Sequence, residues 1–136
     1  MAIVRDLHAN LSFEVALAPQ TISTDTATAT AIIDMQGKSA LEIVFASGTI
    51  TDGAYAFSIE EGDESDLSDA AAVDAGDLLG ATGDMDFAAT DDDTVKSIGY
   101  IGSKRFVRAT LTSTGTTSGG LFSAVAVASP QIRGTT

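Results

Sequence analysis

Cysteine and tryptophan are absent from this 136-residue chain, proline occurs twice and histidine once. Without cysteine there is no disulfide framework, no thiolate metal site and no cysteine nucleophile, so stability has to come from packing or association. Without tryptophan the chain lacks the side chain best suited to stacking on sugar rings. Any Ser-His-Asp or histidine-metal site would have to rest on His8 alone, which lies among Asp6, Asn10 and Ser12 and reads as a solvated residue. No stretch approaches the ~18 to 20 apolar residues of a membrane span, and Met1 to Leu7 lacks the apolar core of a signal peptide. The expectation is a protein made and kept in the cytoplasm of the cell that produces it.

One further absence is local. Residues 39 to 95 hold no lysine or arginine but 15 acidic residues, whereas the rest of the chain holds 4 acidic and 7 basic residues, so −15 and +3 give the net −12. Such a division suggests two faces with different work, one solvated and repulsive, the other open to contact. Phosphate neutralisation needs clustered cations, and the one basic cluster, Lys96, Lys104, Arg105 and Arg108, is small beside 19 carboxylates, which argues against a nucleic-acid partner.

Alternation with a period of two dominates what is present. Leu11, Phe13, Val15 and Leu17 share one strand face. Thr26, Thr28, Thr30 and Ile32 alternate with Ala27, Ala29, Ala31 and Ile33, and Leu41, Ile43 and Phe45 form the next apolar face. Tyr55, Phe57 and Ile59 follow the turn Thr51-Asp52-Gly53, where Asp-Gly supplies the positive φ of a tight hairpin. Val95 to Ile101 and Lys104 to Thr112 read as a second hairpin turning at Gly102-Ser103, and Leu121 to Ala128 is a nearly uninterrupted apolar strand. Residues 60–94 form an irregular acidic insertion, in which Ser68 to Leu79 fits either a short Ala-rich helix or a ragged edge strand through Ala71 and Val73. Ser113 to Gly120 reads as a mobile loop, 1–10 as an N-terminal arm and 130–136 as a flexible C-terminal tail. These signals predict an all-β single domain over 1–136: a compact antiparallel β-sandwich or jelly-roll-like barrel with one short helix or irregular acidic insertion.

Candidate sites are few. Carboxylate pairs such as Glu60/Glu61 and Asp84/Asp86 resemble glycosidase pairs in type only, since acids this dense meet by chance and fall in turns. Asp63, Asp66, Asp91 and Asp93 are weak Ca²⁺ candidates, but neither cluster has the Asp-x-Asp-x-Asp-Gly spacing of an EF-hand. No catalytic residue, resident metal or cofactor is expected. Arg105 and Arg108 fall on opposite faces of one strand, with Arg108 the better candidate for an ion pair. Phe45, Tyr55, Phe57, Tyr100, Phe106 and Phe122 fit a core, the alternative being a sugar-binding face built from the two tyrosines.

The segment Val95-Lys96-Ser97-Ile98-Gly99-Tyr100-Ile101-Gly102-Ser103-Lys104-Arg105-Phe106-Val107-Arg108, followed by Thr114 to Thr117 and Ala124 to Val127, resembles a family of small structural proteins of tailed bacteriophages encoded beside the major capsid protein. Asp6-Leu7 with Asn10, Ala16 to Pro19, Ile33 to Gly37 with Ser39, Gly48 to Gly53 and the acidic turn Glu60 to Asp66 are similar to the same family. The resemblance implies a non-enzymatic head decoration or cement protein that binds the outside of an HK97-type shell and stabilises it. It would be made in the host bacterial cytoplasm, with the major capsid protein and copies of itself as partners and neither nucleic acid nor membrane. Lys96, Lys104, Arg105 and Arg108, with Arg5 in the N-terminal arm, are then the protein-interaction candidates. The alternatives are a carbohydrate-binding β-sandwich for host adsorption and another head, neck or tail accessory role.

Overall fold

The alternating segments become strands in a computed structural model that describes residues 6–130. A one-turn helix, α1 (Leu7–Asn10), capped by the Asp6 carboxylate on Ala9 N, leads into β1 (Ser12–Ile22), β2 (Ala27–Ala29), β3 (Ile33–Asp34), β4 (Lys38–Ile50) and β5 (Ala54–Gly62). The acidic segment carries β6 (Ala71–Ala72), β7 (Leu78–Leu79) and β8 (Phe87–Ala88), before β9 (Val95–Tyr100), β10 (Phe106–Thr114) and β11 (Gly120–Pro130). One sheet runs β1-β11-β4-β9-β7; the other runs β2-β10-β5-β6, with β3 also on β10 and β8 on β5. Every pairing is antiparallel, and the two sheets form a β-sandwich.

Between the sheets, β4 and β9 contribute Leu41, Ile43, Phe45, Ile98 and Tyr100, and the facing strands contribute Tyr55, Phe57, Ile59, Val107, Ala109 and Leu111. Phe45 meets Phe57 edge to face at 5.8 Å, and Phe122 packs on Tyr55 at 4.5 Å and on Phe87 at 5.2 Å. On β11 the inward positions after Phe122 are Ala124, Ala126 and Ala128, small residues that leave room for the rings opposite.

The structure differs from the sequence reading in several places. A bulge between Val15 and Leu17 breaks the parity of β1, so Ala16 and Leu17 are both buried while Phe13 and Val15 turn outward. The Thr/Ala strand is cut at Thr30, because Ala31 N donates to Ala16 O of the other sheet and draws the two sheet edges together before β3 rejoins β10. Residues 95–112 are not a hairpin: β9 pairs with β4 and β7, β10 pairs with β5, and 101–105 crosses from one sheet to the other. The crossing folds over Tyr100, whose hydroxyl donates to Glu61 Oε1 at 2.6 Å and accepts from Lys104 N at 3.1 Å. A Cβ on Gly102 would lie 2.6 Å from that hydroxyl, so glycine permits the close approach.

The acidic segment is not an insertion outside the core. β6 and β8 extend one sheet at β5 and β7 extends the other at β9, so the segment closes the mouth between the sheets and buries Leu67, Leu78, Met85 and Phe87. Of the two readings for Ser68 to Leu79 the edge strand holds, with a single 3-10 turn at Ala75–Asp77. The loop from Ser113 to Gly120 is anchored instead of free: Asp52 accepts from the N–H groups of Thr117, Ser118 and Gly119, and Asp25 accepts from Thr116.

Candidate interaction surface

Strand alternation decides what each sheet shows to solvent, and the two outer faces differ in chemistry. On the β5/β10 sheet the outward residues are small: Ala27, Ala29, Ala54, Ala56, Ser58, Thr110, Thr112 and Thr114, with the cross-strand pair Arg108–Glu60. On the other sheet the register aligns apolar side chains in rows. Phe13 lies beside Val127, Val15 beside Val125 and then Val44, and Ala46 beside Val95. Phe13, Val15 and Val95 are 62%, 65% and 66% exposed, and Leu79, Leu121 and Val125 are also exposed. A shallow depression lined by Pro19, Ala46, Gly48 and Leu121 continues this face. Its one charged member within the rows is Glu42, beside Val127.

This face was not among the sequence candidates, although a signal for it exists. Apart from Ser123, Leu121 to Ala128 is apolar at both parities, which in an antiparallel sheet with one wet side is unexpected and marks a strand whose second face is also suited to cover.

The four described basic candidates are engaged within the chain. Arg105 makes a bidentate contact with Asp34, 2.9 Å from Nε and from Nη2, and reaches Gln36. Those bonds, with a further one from Gln36 N, hold the Asp34 carboxyl down to about 2, and the guanidinium is raised in turn. Arg108 Nε donates to Glu60 Oε1 at 2.8 Å, the ion pair that its mid-strand position suggested. Lys104 pairs with Asp63 at 3.0 Å and is raised by that hydrogen bond. Lys96 lies over the Phe87 ring at 4.9 Å, donates to Asp86 O and pairs with Asp91 at 3.6 Å. The crossover separates Lys96 from the other three, and Arg5 lies outside the described residues.

Three of the four Ca²⁺ candidates are likewise engaged: Asp63 holds Lys104, Asp91 Oδ2 accepts from Ala88 N and Asp66 Oδ1 accepts from Ser68 N. Asp93 sits in a turn with φ 51° and its backbone N–H donates to Gly48 O. Among the described residues no group of three or more His, Cys, Asp or Glu side chains is placed to hold a metal ion. Asp69, which accepts from Asp63 N and Glu64 N, is lowered first by the Asp63 bond; Asp66 is lowered by Ser68 and Asp52 by Thr117, Gly119 and Ser118. His8 is exposed on α1. Tyr55 and Tyr100 are 1% and 0% exposed, so they form no sugar-binding face, and of the aromatic residues only Phe13 is exposed.

No protein-family model matches the chain, and no curated protein does. Among solved structures it is similar to the SPBc2 prophage-derived protein YomS, with a TM-score of 0.40 and 11% identity over 88% of this chain and 94% of that one. It is also similar to the xylan-binding module CBM15, with a TM-score of 0.37 and 14% identity over 94% of this chain and 95% of that one. Both likenesses are weak, and neither places the chain in a family.

Proposed function

We propose that this chain is a non-enzymatic structural protein of a tailed-phage particle, bound to the outside of an HK97-type shell as a decoration or cement protein. The observation that carries the reading is the divided surface: an apolar outer face on one sheet, and an acidic lid along the β5/β9 edge. A protein that coats a particle has to present contact chemistry inward and like charge outward, because uniform outward charge keeps coated particles apart. The resemblance of the sequence to phage capsid-associated proteins supplies the shell as the thing contacted. The acids support a structural role in a second way, since Asp92, Asp86 and Asp91 accept from the backbone N–H groups of Ile50, Phe57 and Ala88 and so order the fold itself.

The test is a heat challenge of particles with and without the protein. Shells lacking it are expected to assemble, to rupture at a temperature several degrees lower, and to recover when purified protein is added back. Equal heat resistance of the two preparations contradicts the reading.

A further inference from the structure

Deepening the decoration reading, on which it rests, we propose that the outer face of the five-stranded sheet docks on an apolar protein surface rimmed by lysine and arginine. The centre of contact is the cross-strand pair Val15 and Val125, flanked by Phe13, Val95 and Leu121.

Size and charge together select this occupant. From Phe13 to Val95 the patch crosses four strands, about 15 Å at ~4.8 Å per strand, and from Leu121 to Val127 it runs about 20 Å, roughly 300 Å² in all. A free-standing dimer hides about 800 Å² on each partner. A second copy would also bring its own Glu42 and its own net −12 to the contact. The charge that the register places on this face is negative: Glu42 stands within it, and the chain as a whole carries a net −12. An opposing surface with an apolar centre and a cationic rim satisfies both parts, and its charges extend the contact beyond the apolar area. The chain's own described basic candidates are turned to its own carboxylates, so the cations come from the partner.

The test uses the full chain and shells assembled from the major capsid protein alone, with binding read by cosedimentation. Val15→Asp combined with Val125→Asp places two charges on solvent-facing positions, and an unchanged circular dichroism spectrum and melting temperature verify the fold. The double variant is expected to bind about tenfold more weakly or worse, whereas Thr112→Asp on the opposite sheet stays within about twofold of wild type. Wild-type affinity is expected to fall as salt rises from about 50 to 500 mM. Undiminished binding by the double variant overturns the choice of face, and affinity indifferent to salt overturns the cationic rim. Wild-type protein that binds no shells overturns the decoration reading itself. A concentration-dependent dimer in sedimentation velocity, abolished by the same two substitutions, assigns the face to a second copy and overturns the partner.

Discussion

The Asp52 carboxylate accepts from three successive backbone N–H groups, those of Thr117, Ser118 and Gly119, and so turns a Gly/Ser/Thr run into an ordered loop. Asp86 and Asp92 each accept from one strand N–H, those of Phe57 and Ile50. Aspartate is suited to this because its short side chain reaches a nearby N–H at little entropic cost. The acids therefore add local order as well as negative charge, and this has a pH consequence. Asp25, Asp34, Asp52, Asp66 and Asp69 all have folded-state values below the ordinary 3.8. A lowered carboxylate binds its proton more weakly when folded, so its stabilisation is present above the ordinary value and lost as pH falls through the folded one. Melting temperature is expected to fall between pH 4 and about 2, the value of Asp34, and Asp52→Asn to melt lower than wild type at pH 7 with a shallower acid limb. Parallel acid limbs in the two proteins would show that Asp52 does not order the loop.

Among the elements, the 113–120 loop and the acidic lid depend on single residues in different ways. Gly119 has φ +81°, and a Cβ there would lie 1.9 Å from Ile22 O, whereas Gly115 has φ +67° with open space around it. Both substitutions by alanine incur left-handed strain, and only Gly119→Ala adds a backbone collision. Urea unfolding is expected to show a cost of about 1 kcal/mol for Gly115→Ala and at least about 3 kcal/mol for Gly119→Ala; equal costs would contradict the packing described. Phe87 tests the lid, because it is 2% exposed and touches Phe122. Phe87→Ala is expected to cost about 3 to 5 kcal/mol, as for any buried ring, and a loss under about 1 kcal/mol would make the segment a solvated appendage. The sequence carried the sandwich well, since alternation in β4, β5 and β10 marks the buried faces directly. It was silent where local pattern and long-range pairing part: the bulge that flips Phe13 and Val15, and the crossover at 101–105 that a two-residue turn mimics. The lid escaped because its apolar residues are spaced irregularly among acids, so neither period appears. The basic cluster was legible as charge, but its partners, such as Asp34 for Arg105 and Asp63 for Lys104, are distant in sequence and emerge only when the sheets close.

At the scale of the whole molecule, the charge division of the sequence maps onto space as an acidic edge beside an apolar sheet face. Net −12 on one small sandwich disfavours free self-association, and the docking proposed for the apolar face calls for a partner that is large, fixed and of opposite charge. A shell offers such a surface many times over by symmetry, so a decoration role requires high occupancy, while a portal-associated ring requires about a dozen copies. The most direct measurement is the copy number of this chain in purified particles, by quantitative mass spectrometry against the major capsid protein. A decoration protein is expected at on the order of hundreds of copies per particle; its absence from particles, or about a dozen copies as in one ring, would contradict the account.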